Sequence, residues 1–371
     1  MKNFYVLGTA LCCSFFFLTS TPCDAQLDFL PRGSQMAKVM QRIGNTDVSI
    51  TYSRPSVQDR EVWGQLVPYG MNNLGFGTAE SSPWRAGANE NTIFETTHDL
   101  QIGGKDLPAG TYGLHMVVEE NDEATIIFSS NYDAWGSYFY KPSEDVLQVK
   151  VKTNVTEHTE QLTFDFTEVT ANSAKASLRW EKKQIPFIIE TNVTENVLTL
   201  IRQKLQNTDG FSRQSWEQAA NFALNNNGDL NEALGWIDAA IDGNFFSEKT
   251  FANLNIKSQI LAKQGKLAES QTVMEEAMPL GTVFDVHQYG RRLITEGKND
   301  KAFEVFKWNA KKHKGTWPVH YGLARGYSAL GDNKSTVKHL KMALENAPAQ
   351  ASRDRVAANL TKAENGEGIN L

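Results

Sequence analysis

The hydrophobic rhythm of this chain changes once, near residue 190, and that change limits what it can fold into. From Asp47 to about Glu190 apolar residues recur at every second position, which puts them on one face of a strand. From Thr194 onward they recur with the period of a helix. No single kind of element satisfies both patterns. The chain is therefore expected to be a two-domain protein, β then α: an antiparallel β-sandwich-like domain followed by an α-helical solenoid.

In the first half, Leu162, Phe164 and Phe166 alternate with Thr163, Asp165 and Thr167. After a turn at Asn172-Ser173, Ala176, Leu178 and Trp180 alternate with Ser177, Arg179 and Glu181. This is a hairpin with one buried and one wet face. Leu147 to Lys152 repeats the pattern, and Val48, Ile50 and Tyr52 begin the series. Gly103-Gly104 and Leu107-Pro108-Ala109-Gly110 mark turns before the strand Thr111 to Glu119, and Ala124 to Ser130 follows. About eight or nine short strands at this spacing predict two packed antiparallel layers. Short helical turns are expected only near Val62 to Leu66 and around Trp135.

In the second half, Gly228, Gly265, Gly297 and Gly331 recur at intervals of about 34 residues, the length of a tetratricopeptide unit. At fixed offsets after them come Ala233, Ile237 and Ala240; Ser270, Met274 and Ala277; Ala302, Phe306 and Asn309; Thr336, Leu340 and Ala343. Small residues suit close helix crossings, and large ones fill the gaps between pairs. Asn309 is a poor core residue, so the repeats are degenerate. Arrays of this type offer a concave surface for a protein or peptide partner. Trp216, Trp236, Trp308 and Trp317 are candidates to anchor a partner peptide, with packing between helix pairs the expected role for most of them. Ala363 to Leu371 reads as a frayed tail.

The first 25 residues read as a secretory signal: Lys2, an apolar run from Phe4 to Leu18, and small residues up to Ala25. That run is short for a membrane span. Domain limits are thus expected at 1–25, 26–190 and 191–371. The expected location is the periplasm or the extracellular space; an outer-membrane lipoprotein through Cys23 fits less well because Pro22 precedes it. Cys12, Cys13 and Cys23 all fall in the signal, so the mature chain would lack thiol catalysis, thiolate metal sites and disulfides. The net charge of -6, without a basic cluster, argues against nucleic acid.

Several motifs of the first half occur in a recognisable order. They are Tyr52-Ser53-Arg54-Pro55-Ser56-Val57, Arg60, Trp63-Gly64, Leu66-Val67-Pro68-Tyr69-Gly70 and Trp84-Arg85-Ala86-Gly87-Ala88-Asn89-Glu90. Leu107-Pro108-Ala109-Gly110-Thr111-Tyr112, Trp135-Gly136 and Leu178-Arg179-Trp180-Glu181 follow. Together they resemble the bacterial "domain of unknown function 2911", common in exported proteins of the Bacteroidetes, over about Gly44 to Glu190. Many members run directly from the Pro-Tyr-Gly motif into Trp-Arg. Here Met71 to Pro83 intervenes, a loop placed to cover or reshape a site between them. The resemblance implies boundaries and candidate positions, not a reaction.

No nucleophile elbow, zinc-protease motif, phosphate loop or dinucleotide fingerprint is present, and no histidine pair has helical metal-ligand spacing. No cofactor or metal is expected. The polar set that stands out is Arg54, Arg60, Trp84, Arg85, Asn89, Glu90 and His115. Arg85 can hold a carboxylate or phosphate with two prongs, Asn89 offers a donor and an acceptor, and Trp84 can stack on a sugar ring. The competing reading is an Arg85–Glu90 pair that pins a long loop, with Trp63, Trp135 and Trp180 packing in the core. His115 shares its strand face with Thr111, Gly113 and Val117, leaving room beside it for a base or ligand role. The sequence points to a non-enzymatic recognition protein, its β domain binding a small ligand or glycan and its repeats binding protein. The alternative is a periplasmic hydrolase of glycans or peptides built on Arg85, Glu90 and His115.

Overall fold

The computed structural model describes residues 30–370. The expected signal peptide, with all three cysteines, lies outside the described residues. Two antiparallel sheets come first. The larger has the order β1-β2-β3-β6-β7-β8, built from β1 (Gln35–Ile43), β2 (Thr46–Arg54), β3 (Thr92–Thr96), β6 (Gly110–Val118), β7 (Glu123–Ser129) and β8 (Asp145–Lys152). The smaller has the order β5-β4-β10-β9, from β4 (Leu100–Ile102), β5 (Lys105–Leu107), β9 (Asn154–Thr167) and β10 (Ser173–Glu190).

The alternation read from the sequence sets which faces meet. Ile50, Phe94, Leu114 and Phe128 of the larger sheet and Phe164, Leu178, Trp180 and Phe187 of the smaller belong to one buried core. Tyr52 and Phe164 meet edge to face at 4.9 Å across the layers, and Phe128 and Phe187 at 6.2 Å. Burying a side chain of this size contributes about 1.5–3 kcal/mol. The Tyr52 hydroxyl also accepts the Phe164 amide proton at 3.0 Å, fixing the offset between sheets.

Three local expectations are corrected. β1 precedes the first strand read from the sequence. It is an edge strand with most side chains open to solvent, and its Lys38 and Arg42 side chains pair with Glu95 and Asp47, so hydrophobic alternation is weak there. The segments near Val62 to Leu66 and around Trp135 are not helical. In the first, the Val67 amide returns to the Val62 carbonyl at 2.8 Å and the Gly64 amide to the Val67 carbonyl at 2.9 Å, a knot of turns rather than a ladder.

After β10, the Asn192 side chain accepts the Glu195 amide at 3.1 Å and starts the first helix, α1 (Val193–Leu205). Four helix pairs follow: α2 (Arg213–Asn225) with α3 (Leu230–Asp242), α4 (Phe251–Lys263) with α5 (Leu267–Ala277), α6 (Val283–Thr295) with α7 (Asn299–Lys312), and α8 (Trp317–Ala329) with α9 (Asn333–Asn346). α10 (Gln350–Glu364) ends the array. Each of the four spaced glycines sits in the turn inside a pair, and Gly265, Gly297 and Gly331 adopt φ of +81, +74 and +80 degrees, where a side chain would be strained.

Repeat packing follows the small-and-large logic. Phe306 on α7 is fully buried. A Cβ at Gly290 on α6 would lie 2.5 Å from its ring, and one at Gly322 on α8 2.7 Å from it. Two glycines thus make room for one phenylalanine between neighbouring pairs. Asn309 is buried too; its amide donates to the Val283 carbonyl at 2.9 Å, which offsets part of its desolvation. The four tryptophans of this half belong to or pack against the core. The tail is not frayed within the described residues. Ile369 is 2% exposed, and Asn370 donates to the Arg325 carbonyl at 2.9 Å, because a buried apolar side chain and a hydrogen bond outweigh fraying.

Phe306→Ala leaves a cavity that two glycine-lined helices cannot close. It is expected to lower stability by about 3–5 kcal/mol, read as a shift of the denaturant midpoint in chemical unfolding followed by circular dichroism.

Candidate functional site

The loop after the inserted segment is anchored to the larger sheet. Trp84 and Met116 exchange both backbone hydrogen bonds, at 2.9 and 2.8 Å, so Trp84 continues the row of β3 beside the far end of β6. The chain then turns sharply, with Ala86 and Asn89 in left-handed conformations at φ +51 and +60 degrees. Such backbone costs about 1–3 kcal/mol per non-glycine residue and persists only where surroundings hold it. Here the buried Thr92 hydroxyl donates to the Ala86 carbonyl at 3.1 Å, and the Asn89 amide donates to the Ser34 carbonyl at 3.0 Å.

This turn aims the side chains. The Arg85 guanidinium donates to the Asn89 carbonyl and lies 4.9 Å from the centre of the Tyr138 ring. It rests against Gly136, where a Cβ would fall 2.3 Å from the guanidinium carbon and where φ is +67 degrees. Its other N–H groups have no protein acceptor among the described residues. Trp84 stacks on Trp180 at 6.0 Å and meets Trp63 edge to face at 5.9 Å, while its indole N–H donates to the Gly87 carbonyl at 3.2 Å. Arg60 bends back to the carbonyls of Ser56 and Val57 but stays exposed.

A cavity of about 500 Å³ lies among these residues. Of the seven candidate positions, Arg60, Trp84, Arg85 and Asn89 line it. Trp135, Tyr138 and Trp180 complete the aromatic wall. The inserted segment contributes Asn72, Leu74, Ser82 and Pro83, and the Asn72 and Ser82 backbones close its base with bonds of 2.9 and 2.8 Å.

The other three candidates lie elsewhere. Arg54 donates to the Leu162 carbonyl at 2.9 Å and to the Thr163 hydroxyl at 2.7 Å, clamping β2 to β9. Glu90 pairs with Arg32 rather than Arg85. Burial raises its carboxyl affinity for protons, but the Arg32 hydrogen bond, a backbone hydrogen bond and the Arg32 charge together outweigh this and leave it below the usual carboxylate range. His115 is 2% exposed and stands behind the wall, its Nδ1 2.9 Å from the hydroxyl of Ser137, which does line the cavity. Burial, with the nearby Arg85 charge, pushes its imidazole down to about 4.

Sequence reasoning missed Trp135, Ser137 and Tyr138. Trp135 was expected to pack in the core, yet half its surface is exposed at the cavity wall. The dense aromatic run Trp135-Gly136-Ser137-Tyr138-Phe139-Tyr140, with no alternation, was the available signal that this segment is a loop with work other than core packing. Trp180 is both: it is 1% exposed in the core and forms part of the cavity wall, and its indole nitrogen is buried with no protein partner.

The helical half carries a separate groove of about 570 Å³ along α2, α4 and α6. Gln218, Asn221, Asn255 and Gln288 line it, with Tyr289 and Arg292. Arg292 donates to the Asn255 side chain at 2.8 Å and lies 5.1 Å from the Tyr289 ring centre.

Residues 34–189 match the family described as a protein of unknown function (DUF2911). The DUF2911 region therefore contains the whole β cavity and begins at the strand β1. No curated protein matches the chain. Among solved structures, one titled as YrrB, a TPR protein with an unusual peptide-binding site, is 16% identical with a TM-score of 0.29, covering 44% of this chain and 84% of its own. The C-terminal part of a TPR repeat-containing protein from Cytophaga hutchinsonii is 15% identical with a TM-score of 0.34, covering 46% of this chain and 67% of its own. No helix among the described residues is long and apolar enough to cross a membrane.

His115 is buried neutral, so the unfolded chain takes up its proton first as pH falls. Its contribution is present above about pH 6.5 and is lost as pH falls toward about 4. His115→Gln keeps a hydrogen-bonding partner for Ser137 but removes the titration. The expected difference in pH dependence between the two proteins is up to about 3 kcal/mol between those limits, measured by urea unfolding at several pH values.

Proposed function

We propose that this is an exported, non-enzymatic recognition protein of the cell envelope, with two binding surfaces. The β cavity captures a small ligand bearing a negative charge, and the groove of the helical array holds a segment of a protein partner. The observation that carries this reading is the composition of the cavity wall. It contains Arg60 and Arg85, four aromatic side chains and no carboxylate. A cavity of this size, mostly pre-formed and with few polar groups at fixed places, suits a small molecule. Arg85 is held rigid by Gly136, Tyr138 and the Asn89 carbonyl, so little order is lost when an anion arrives.

The amide-rich groove suits an extended polypeptide, whose backbone offers donors and acceptors in equal number. The export assignment rests on the first 25 residues, read as a signal. A hydrolase centred on Arg85, Glu90 and His115 has less support: Glu90 is paired with Arg32, His115 stands behind Ser137, and neither lines the cavity.

Titration of the full chain with acetate, phosphate and sulfate, followed by tryptophan fluorescence, tests the cavity. At least one anion is expected to bind, with Arg85→Gln weakening it by about tenfold or more, the equivalent of about 1.4 kcal/mol. Equal binding by the variant sinks the assignment. For the groove, a photocrosslinker at Gln218 is expected to capture polypeptide in cells, and one at Glu269 on α5, outside the groove, is not; equal capture at both removes the groove from the proposal.

A further inference from the structure

The polar atoms around the cavity specify more than an anion, and this inference rests on the cavity reading above. The Asn72 amide donates to the Tyr69 and Gly70 carbonyls, at 3.3 and 3.0 Å. The Asn89 amide donates to the Ser34 carbonyl at 3.0 Å. These bonds fix which way each side chain points: the nitrogens are spent on the protein, and each Oδ1 is left without a donor among the described residues.

The wall therefore presents two carbonyl acceptors that want hydroxyl donors, and two guanidinium groups, Arg85 and Arg60, whose remaining N–H groups suit a carboxylate or similar anion. Between them stand indole faces. Trp135 is half exposed at the wall, while Trp180 and Trp84 stack on each other further in. A fatty or aromatic acid would engage the arginines and the indoles but bring no hydroxyls for Asn72 and Asn89. A neutral sugar would bring hydroxyls and a stacking face but leave the guanidinium groups unanswered. A sugar ring that carries both hydroxyls and an anionic group answers all of these groups together, and a carboxylate, flat like the guanidinium, meets it with two parallel bonds.

We propose that the β cavity binds a carboxylate-bearing saccharide, a uronic acid residue, with the carboxylate held by Arg85 and Arg60, hydroxyls donating to Asn72 and Asn89, and the sugar ring lying against Trp135. The inserted segment Met71–Pro83 is then a specificity element, because Asn72 stands at its base.

The test is isothermal titration of the full chain with D-glucuronate, D-galacturonate, D-glucose and acetate. At least one uronate is expected to bind about tenfold or more tightly than both glucose and acetate. Trp135→Ala removes a half-exposed side chain and should leave folding intact, as checked by circular dichroism. It is expected to weaken uronate by about tenfold or more while changing acetate less than about twofold. Acetate binding as tightly as the uronates overturns the saccharide assignment and leaves the anion reading standing. Glucose binding as tightly as the uronates overturns the need for the carboxylate. Binding of none of the four, with phosphate and sulfate binding intact, overturns the saccharide alone; loss of every anion overturns both readings.

Discussion

Three indoles meet beneath the β cavity, and the geometry above them depends on that meeting. Trp180 comes from the long strand β10 of the smaller sheet, Trp84 from the loop that continues the larger sheet, and Trp63 from the knot of turns after β2. Each pair lies within about 6 Å, and aromatic pairs at this range add about 0.5–1.5 kcal/mol beyond the area they bury. Because Trp84 is fixed, the left-handed turn at Ala86 and Asn89 has a rigid start, and Arg85 is delivered to Gly136 and Tyr138. The core of the sandwich and the wall of the cavity are thus one continuous packing unit.

Much of this was legible in the sequence, and the limits are instructive. Residues whose role is set by period were read well, since Ile50, Phe164, Leu178 and the repeat positions around Gly228, Gly265, Gly297 and Gly331 obey a spacing that burial imposes. The edge strand β1 was invisible because a strand with most of its surface in water has little hydrophobic alternation to display. Of the polar candidates, Arg60, Trp84, Arg85 and Asn89 were drawn from motif density and do share a cavity. Arg54 and Glu90 came from the same motifs, but their partners, Leu162, Thr163 and Arg32, are remote in sequence, and no local pattern announces such pairings. Trp135 was misjudged for the opposite reason. Its size argued for the core, while its loop holds it at the surface.

The two halves solve the problem of presenting a surface in different ways. The β half spends backbone strain and buried aromatic area on the walls of one open cavity. The helical half uses repetition: Gly290 and Gly322 admit Phe306 where α6 meets α8, and amide side chains of α2, α4 and α6 line one groove. Stability in such an array is close to a sum of neighbour contacts, whereas the sandwich stands or falls as a whole. The chain passes from one regime to the other at Asn192, and Asn196 on α1 reaches back to the Thr46 and Thr191 hydroxyls at 3.2 and 3.0 Å, stitching the first helix to the sheets.

The segment from Met71 to Pro83 leaves and re-enters the domain through one point, the reciprocal backbone pair between Asn72 and Ser82. Its far end is tied back as well: the Thr78 and Ala79 amides both donate to the Tyr138 carbonyl at 3.1 Å, and Phe76 meets the Tyr138 and Phe139 rings edge to face. The excursion is therefore coupled to the framework at both its neck and its tip, and a change in its length is transmitted to Tyr138, against which Arg85 rests. Reshaping this excursion would move the rim of the cavity and its cationic side chain together.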